Sequence, residues 1–122
     1  MNPGLRRTTM TNLPLTLLLL FLAAILEAGG DAFVRLGLRS TATAPRILFF
    51  LAGAMVLFSY GWTVNAPAWD FGRLIGVYVV FFFLVAQVIA WIVFDQKPSH
   101  AVLIGGGFIA IGGLIISLAS PN

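Results

Sequence analysis

Apolar residues in this chain do not recur at helical or strand spacing along one face. They run in long blocks, broken by short polar stretches. The blocks predict helices over about 13–36, 46–65, 73–94 and 100–119, after a polar tail over 1–12. The apolar heart of the second, Ile47 to Val64, is 18 residues long. At about 1.5 Å per residue such a block nearly crosses a hydrocarbon core of about 30 Å. The breaks are turn-like: GLRSTATAP at 37–45, Asn65 to Gly72 with Pro67 and Asp70, and DQKPS at 95–99. Pro14 and Pro45 fall where a helix opens, a position that tolerates the missing N–H, and Ser99 is placed to cap the fourth helix. The expectation is an all-α, integral membrane four-transmembrane-helix bundle, with short loops making neighbouring spans antiparallel. The rival for the first block is a secretory signal peptide, since a basic start with Arg6 and Arg7 precedes Leu13 to Leu26; no convincing cleavage site follows that run.

Composition supports the membrane reading. Of 122 residues, 60% are apolar and 9% charged, against about a quarter charged in soluble domains. The formal charge of +3 is scattered over short loops, which argues against a nucleic-acid surface. There is no Cys and a single His, His100, so neither a disulfide nor a metal cluster is expected. The triple glycine at 105–107 lacks the Lys and Ser/Thr of a phosphate loop. No nucleophile sits with a base, so neither an enzyme nor a cofactor is expected. If the N-terminus, second loop and C-terminus share one side, that side holds Arg6, Arg7 and Arg73, and the other holds Arg35, Arg39, Arg46 and Lys97. This is almost no positive-inside bias, and either insertion direction is open to such a chain.

The polar interruptions inside the blocks are the candidate chemistry. Glu27, Asp31 and Arg35 follow at steps of four and stack along one stripe of the first helix. A carboxylate in mid-membrane costs roughly 3 kcal/mol on insertion scales, so it faces a cavity or a partner. Ala23, Ala24 and Gly30 beside Glu27 are small and leave room for another helix or a ligand. Low-dielectric surroundings disfavour the charged carboxyl, which could then exchange a proton for a cationic solute; the alternative is a protonated Glu27 that only ties helices together. Asp31 either extends this site or pairs with Arg35 at the membrane surface, and the pair is favoured. Gln87 either faces the cavity or bridges helices, with the bridge favoured. Tyr60 and Tyr78 could offer aromatic faces to a cation, Tyr78 being the better placed, inside the third helix. Tyr60, Trp62 and Trp69 together read as a belt at the membrane–water boundary. Gly105 and Gly112, seven residues apart on the fourth helix, give a small-residue face for self-association or for packing within the bundle.

Glu27-x-x-Gly30 with Arg35, then Pro45, then FDQKPSHAVLIGGGFIAIGGLIISL from Phe94 to Leu118 together resemble the small multidrug resistance family, within the drug/metabolite transporter superfamily. The resemblance covers about 100 residues, from the first helix to the end of the fourth. It implies an antiparallel homodimer in the inner (plasma) membrane that exchanges protons for small organic cations or guanidinium-type compounds. Glu27 would be the shared carboxylate, Tyr78 a substrate-facing aromatic, and Gly105 and Gly112 part of the dimer contact. The third helix departs from the family in having a single glycine, Gly76, near Tyr78, and Asp31 is an unusual acid at its position. Those departures keep open a subunit of a lipid-linked sugar flippase with the same fold. A different class, an accessory membrane subunit working with a larger partner, is the second reading.

Overall fold

The computed structural model describes residues 13–119; the polar tail, with Arg6 and Arg7, lies outside the described residues. The four expected helices are present: α1 Leu13–Arg39, α2 Thr43–Val64, α3 Phe71–Phe94 and α4 His100–Leu118. All four are long and apolar enough to cross a membrane. The first loop is much shorter than expected, because α1 continues through Gly37 to Arg39 and α2 begins at Thr43. Pro45 therefore lies inside the first turn of α2, where backbone N–H groups have no intrahelical acceptor and its missing donor costs nothing. The turn between α3 and α4 is tight. Asp95 adopts the left-handed conformation with φ 55°, which stops α3, and the N–H of Gln96 donates to the Ala90 carbonyl at 2.9 Å. Ser99 then caps α4, its Oγ accepting from the Val102 N–H at 3.2 Å.

Helix α1 is the centre of the bundle. It packs extensively on α2 and also on α3, and α4 rests on α3. The α1–α2 seam is close because Gly30 lies under Leu57 and Gly53 under Val34; a Cβ on Gly53 would stand 3.1 Å from the Gly30 carbonyl oxygen. In lipid, with no water to expel, such backbone approach supplies the van der Waals contact that joins helices. Gly30 thus serves a helix of its own chain. On the α3–α4 seam, Gly76 takes Ile116, Gly106 takes Phe83 and Gly113 takes Val80. Gly105 and Gly112 have nothing within 4 Å. The glycine face of α4 is therefore divided: Gly106 and Gly113 pack inward, while Gly105 and Gly112 look away from the chain.

Leu20, Ala23, Ala24, Val64, Leu74, Val77 and Tyr78 form the buried cluster, which closes the bundle at the α2–α3 turn. Outside it the molecule shows apolar side chains to its surroundings: Met55, Phe58, Trp62, Ile92 and Leu118 are each more than 70% exposed. A water-soluble monomer does not present so continuous an apolar surface, and hydrocarbon is the solvent that suits it. Of the three aromatics expected as a belt, Trp62 alone faces outward in that way. Tyr60 and Trp69 pack against the buried cluster instead.

Candidate functional site

The face of α1 that carries Glu27 is stripped to methyl groups. Ala23 and Ala24 are fully buried, and they let α3 come close enough for the Tyr78 side chain, 3% exposed, to reach across. Its hydroxyl donates to Oε2 of Glu27 at 2.6 Å, a contact between residues 51 apart in the chain. That length lies within the ordinary range of an O–H···O hydrogen bond. The Tyr60 ring of α2 lies 5.7 Å from the Tyr78 ring, tilted by 32°, and Phe82, one turn further along α3, stacks on Tyr78 at 6.2 Å. Three helices thus meet at one carboxyl, walled by aromatic rings whose faces carry partial negative charge. The site offers an anion no positively charged partner among the described residues.

Of the residues expected here, the fold brings together Glu27, Tyr78 and Tyr60. Asp31 sits one turn further along α1, exposed, at a separate cleft between α1 and α3. The favoured Asp31–Arg35 ion pair is not formed. The Arg35 guanidinium lies over the Phe94 ring instead, 5.3 Å from its centroid, with that of Arg39 at 5.9 Å. The Phe94 ring holds these long side chains towards the end of α3, while Asp31 is too short to follow. Gln87 is not part of the site either. Nine residues beyond Tyr78, it falls about 180° around the helix, on the stripe of Gly76, Val80 and Phe83 that meets α4. Phe82 is a wall of the site that sequence reasoning did not single out. Its position four after Tyr78 was a usable signal, but three consecutive phenylalanines at 81–83 hid which of them faces the carboxyl. Arg73 was also missed: it reaches from α3 to the Ser117 carbonyl at 3.2 Å and covers the Trp69 ring at 4.6 Å.

These features define a multi-pass membrane protein with a carboxyl held between three of its helices. The family described as uncharacterised BCR, YnfA/UPF0060, matches residues 13–122, and the chain belongs to it. The family is a four-helix membrane family related to the small multidrug resistance and drug/metabolite transporters. The chain is 32% identical over 103 residues to a UPF0060 membrane protein of Clostridium perfringens, covering 83% of this chain and 89% of that one. It is also 32% identical over 109 residues to UPF0060 membrane protein YfjF of Bacillus subtilis, covering 88% and 96%. A UPF0060 membrane protein of Herpetosiphon aurantiacus is 29% identical over 100 residues, with 80% and 88% covered. No solved structure matches.

Proposed function

We propose that this protein is a proton-coupled exporter of small organic cations, working in the inner membrane as a homodimer of oppositely inserted copies. The observation that carries the reading is the 2.6 Å contact from Tyr78 to Glu27 inside the membrane-spanning bundle. A carboxyl there can hold a proton or a cationic solute, but not both, and so carries no permanent charge in the membrane. Tyr60, Tyr78 and Phe82 offer aromatic faces to a desolvated cation, each contact worth about 1–2 kcal/mol. When the solute arrives the proton leaves, and when a proton arrives the solute is released. Rocking of the helices about this fixed point exposes it to one face and then the other, so downhill proton entry drives solute exit. The bare α4 face at Gly105 and Gly112 and the near-balanced loop charges fit a second copy inserted in the opposite sense.

The test is transport of a fluorescent organic cation against an imposed proton gradient in proteoliposomes. Wild-type protein accumulates the dye when the gradient is present and not when it is collapsed. Glu27→Gln inserts normally and abolishes gradient-driven accumulation. Normal transport by Glu27→Gln overturns the mechanism.

A further inference from the structure

A second site is built into the other end of the α1–α3 interface. A cleft of about 240 Å³ opens there, with Asp31 and Arg35 on its α1 side and Phe82, Ala86 and Phe94 on its α3 side. It is smaller than the pockets that take drug-sized ligands, which run from about 300 Å³ upward, so its occupant is a small solute. Its walls are largely methyl groups and rings, and two opposite full charges stand at its edge without neutralising one another. Asp31 has no cationic partner among the described residues, and Arg35 is drawn off over Phe94. Phe82 lines the cleft and also stacks on Tyr78, so it is the wall that separates this space from the Glu27 site.

We infer that the cleft binds a small zwitterion, with Asp31 taking its ammonium group and Arg35 its carboxylate or phosphate. A plain cation meets the repulsion of Arg35, and a plain anion meets that of Asp31. A solute carrying both charges satisfies both, provided they are separated by about the 6 Å that four residues of helix span. The order of the charges also points to water as the source. Helix α1, with 27 residues, is about 40 Å long and outruns the hydrocarbon core, so Arg35 lies towards the headgroups and Asp31 one turn deeper. A phospholipid such as phosphatidylethanolamine presents its phosphate below its ammonium, the reverse of this arrangement. A soluble zwitterion enters ammonium first and fits. The inference does not depend on how Glu27 functions.

The experiment is saturation-transfer NMR and calorimetry on the purified protein in nanodiscs of phosphatidylglycerol, with γ-aminobutyrate as probe. Glycine, whose charges are too close together, and butylamine and butyrate, which carry one charge each, are the controls. The expected result is binding of γ-aminobutyrate at least about tenfold tighter than any control, a tenfold step being one lost charged contact of about 1.4 kcal/mol. Asp31→Asn and Arg35→Gln should each remove that advantage. Ala86→Leu, which fills the cleft and leaves both charges in place, should abolish binding, while Glu27→Gln should leave it intact. Equal binding of butylamine and γ-aminobutyrate, or no loss in Arg35→Gln, overturns the inference in favour of a cation vestibule. Displacement of the probe when the nanodiscs contain phosphatidylethanolamine overturns it in favour of a lipid occupant. Absence of probe binding to the wild-type protein overturns it outright.

Discussion

The hydroxyl of Tyr78 donates to Oε2 of Glu27 at 2.6 Å, and through that bond α3 holds the one carboxyl that the middle of α1 carries. The two side chains are partners in packing as well as in charge. The ring is buried over Ala23 and Ala24, and the carboxyl is half-buried beneath the ring's polar end. Removing either group leaves the other facing an apolar interior without its complement.

Tyr78→Phe keeps the ring and deletes the donor. Interhelical hydrogen bonds in membranes are worth about 0.6–2 kcal/mol, so the variant is expected to fold and to lose a few degrees of Tm in a detergent thermal-shift assay. Tyr78→Ala removes the packed ring too and is expected to lose several-fold more. Equal losses in the two would mean that the hydrogen bond, not the ring, supports the α1–α3 contact.

The glycines of α4 separate by face. A Cβ on Gly113 would fall on the Val80 side chain, whereas Cβ atoms on Gly105 and Gly112 meet nothing. Gly113→Leu is therefore expected to destabilise the monomer by about 1–3 kcal/mol, the usual cost of overpacking. Gly105→Leu and Gly112→Leu are expected to leave thermal stability of the monomer unchanged and to weaken self-association, read by cross-linking and by size-exclusion chromatography with light scattering.

Gly53 stands on the close seam of α1 and α2, its Cβ position 2.8 Å from Val34 Cγ2 and 3.1 Å from the backbone oxygen of Gly30. The side chain can turn aside, but the backbone oxygen cannot move without separating the helices. Gly53→Val is expected to open that seam, with faster amide exchange in both helices and reduced yield of folded protein. Gly61→Val on the same helix, with open space around it, is the matched control.

Ser99 accepts from the N–H of Val102 and so satisfies one of the free donors at the start of α4. Ser99→Ala is expected to cost about 1 kcal/mol, and Ser99→Asp to restore most of it. At the other end of α4, Arg73 donates to the Ser117 carbonyl, where a positive charge also complements the helix dipole. Arg73→Met is expected to raise amide exchange in the last turn of α4 while leaving α1 and α2 unaffected.

The four helices were legible in the chain because lipid imposes a single solution on an apolar run of this length: every backbone N–H and C=O must be satisfied within the helix, whatever lies beside it. That rule places Glu27 within a membrane-spanning helix, and it holds before any neighbour is known. Helix ends were harder to read. Gly37 looked like a stop, yet it lies within α1 against Phe50, where close packing of two helices outweighed its poor helix propensity.

Which residues share a face depends on how the helices meet, and the order of residues does not encode that locally. Among apolar residues the stripes of α3 are nearly interchangeable by composition. Tyr78 faces Glu27, and Gln87 falls about 180° away on the helix, because α1 and α4 occupy different sides of α3. Arg35 likewise had two attractions within reach, Asp31 on its own helix and the Phe94 ring on another, and the pairing turned on where the end of α3 came to lie. Spans and the depth of the acid follow from backbone satisfaction in oil, a local constraint. The partners of that acid follow from helix contacts made by small residues far apart in the chain, and those exist only once the bundle has closed.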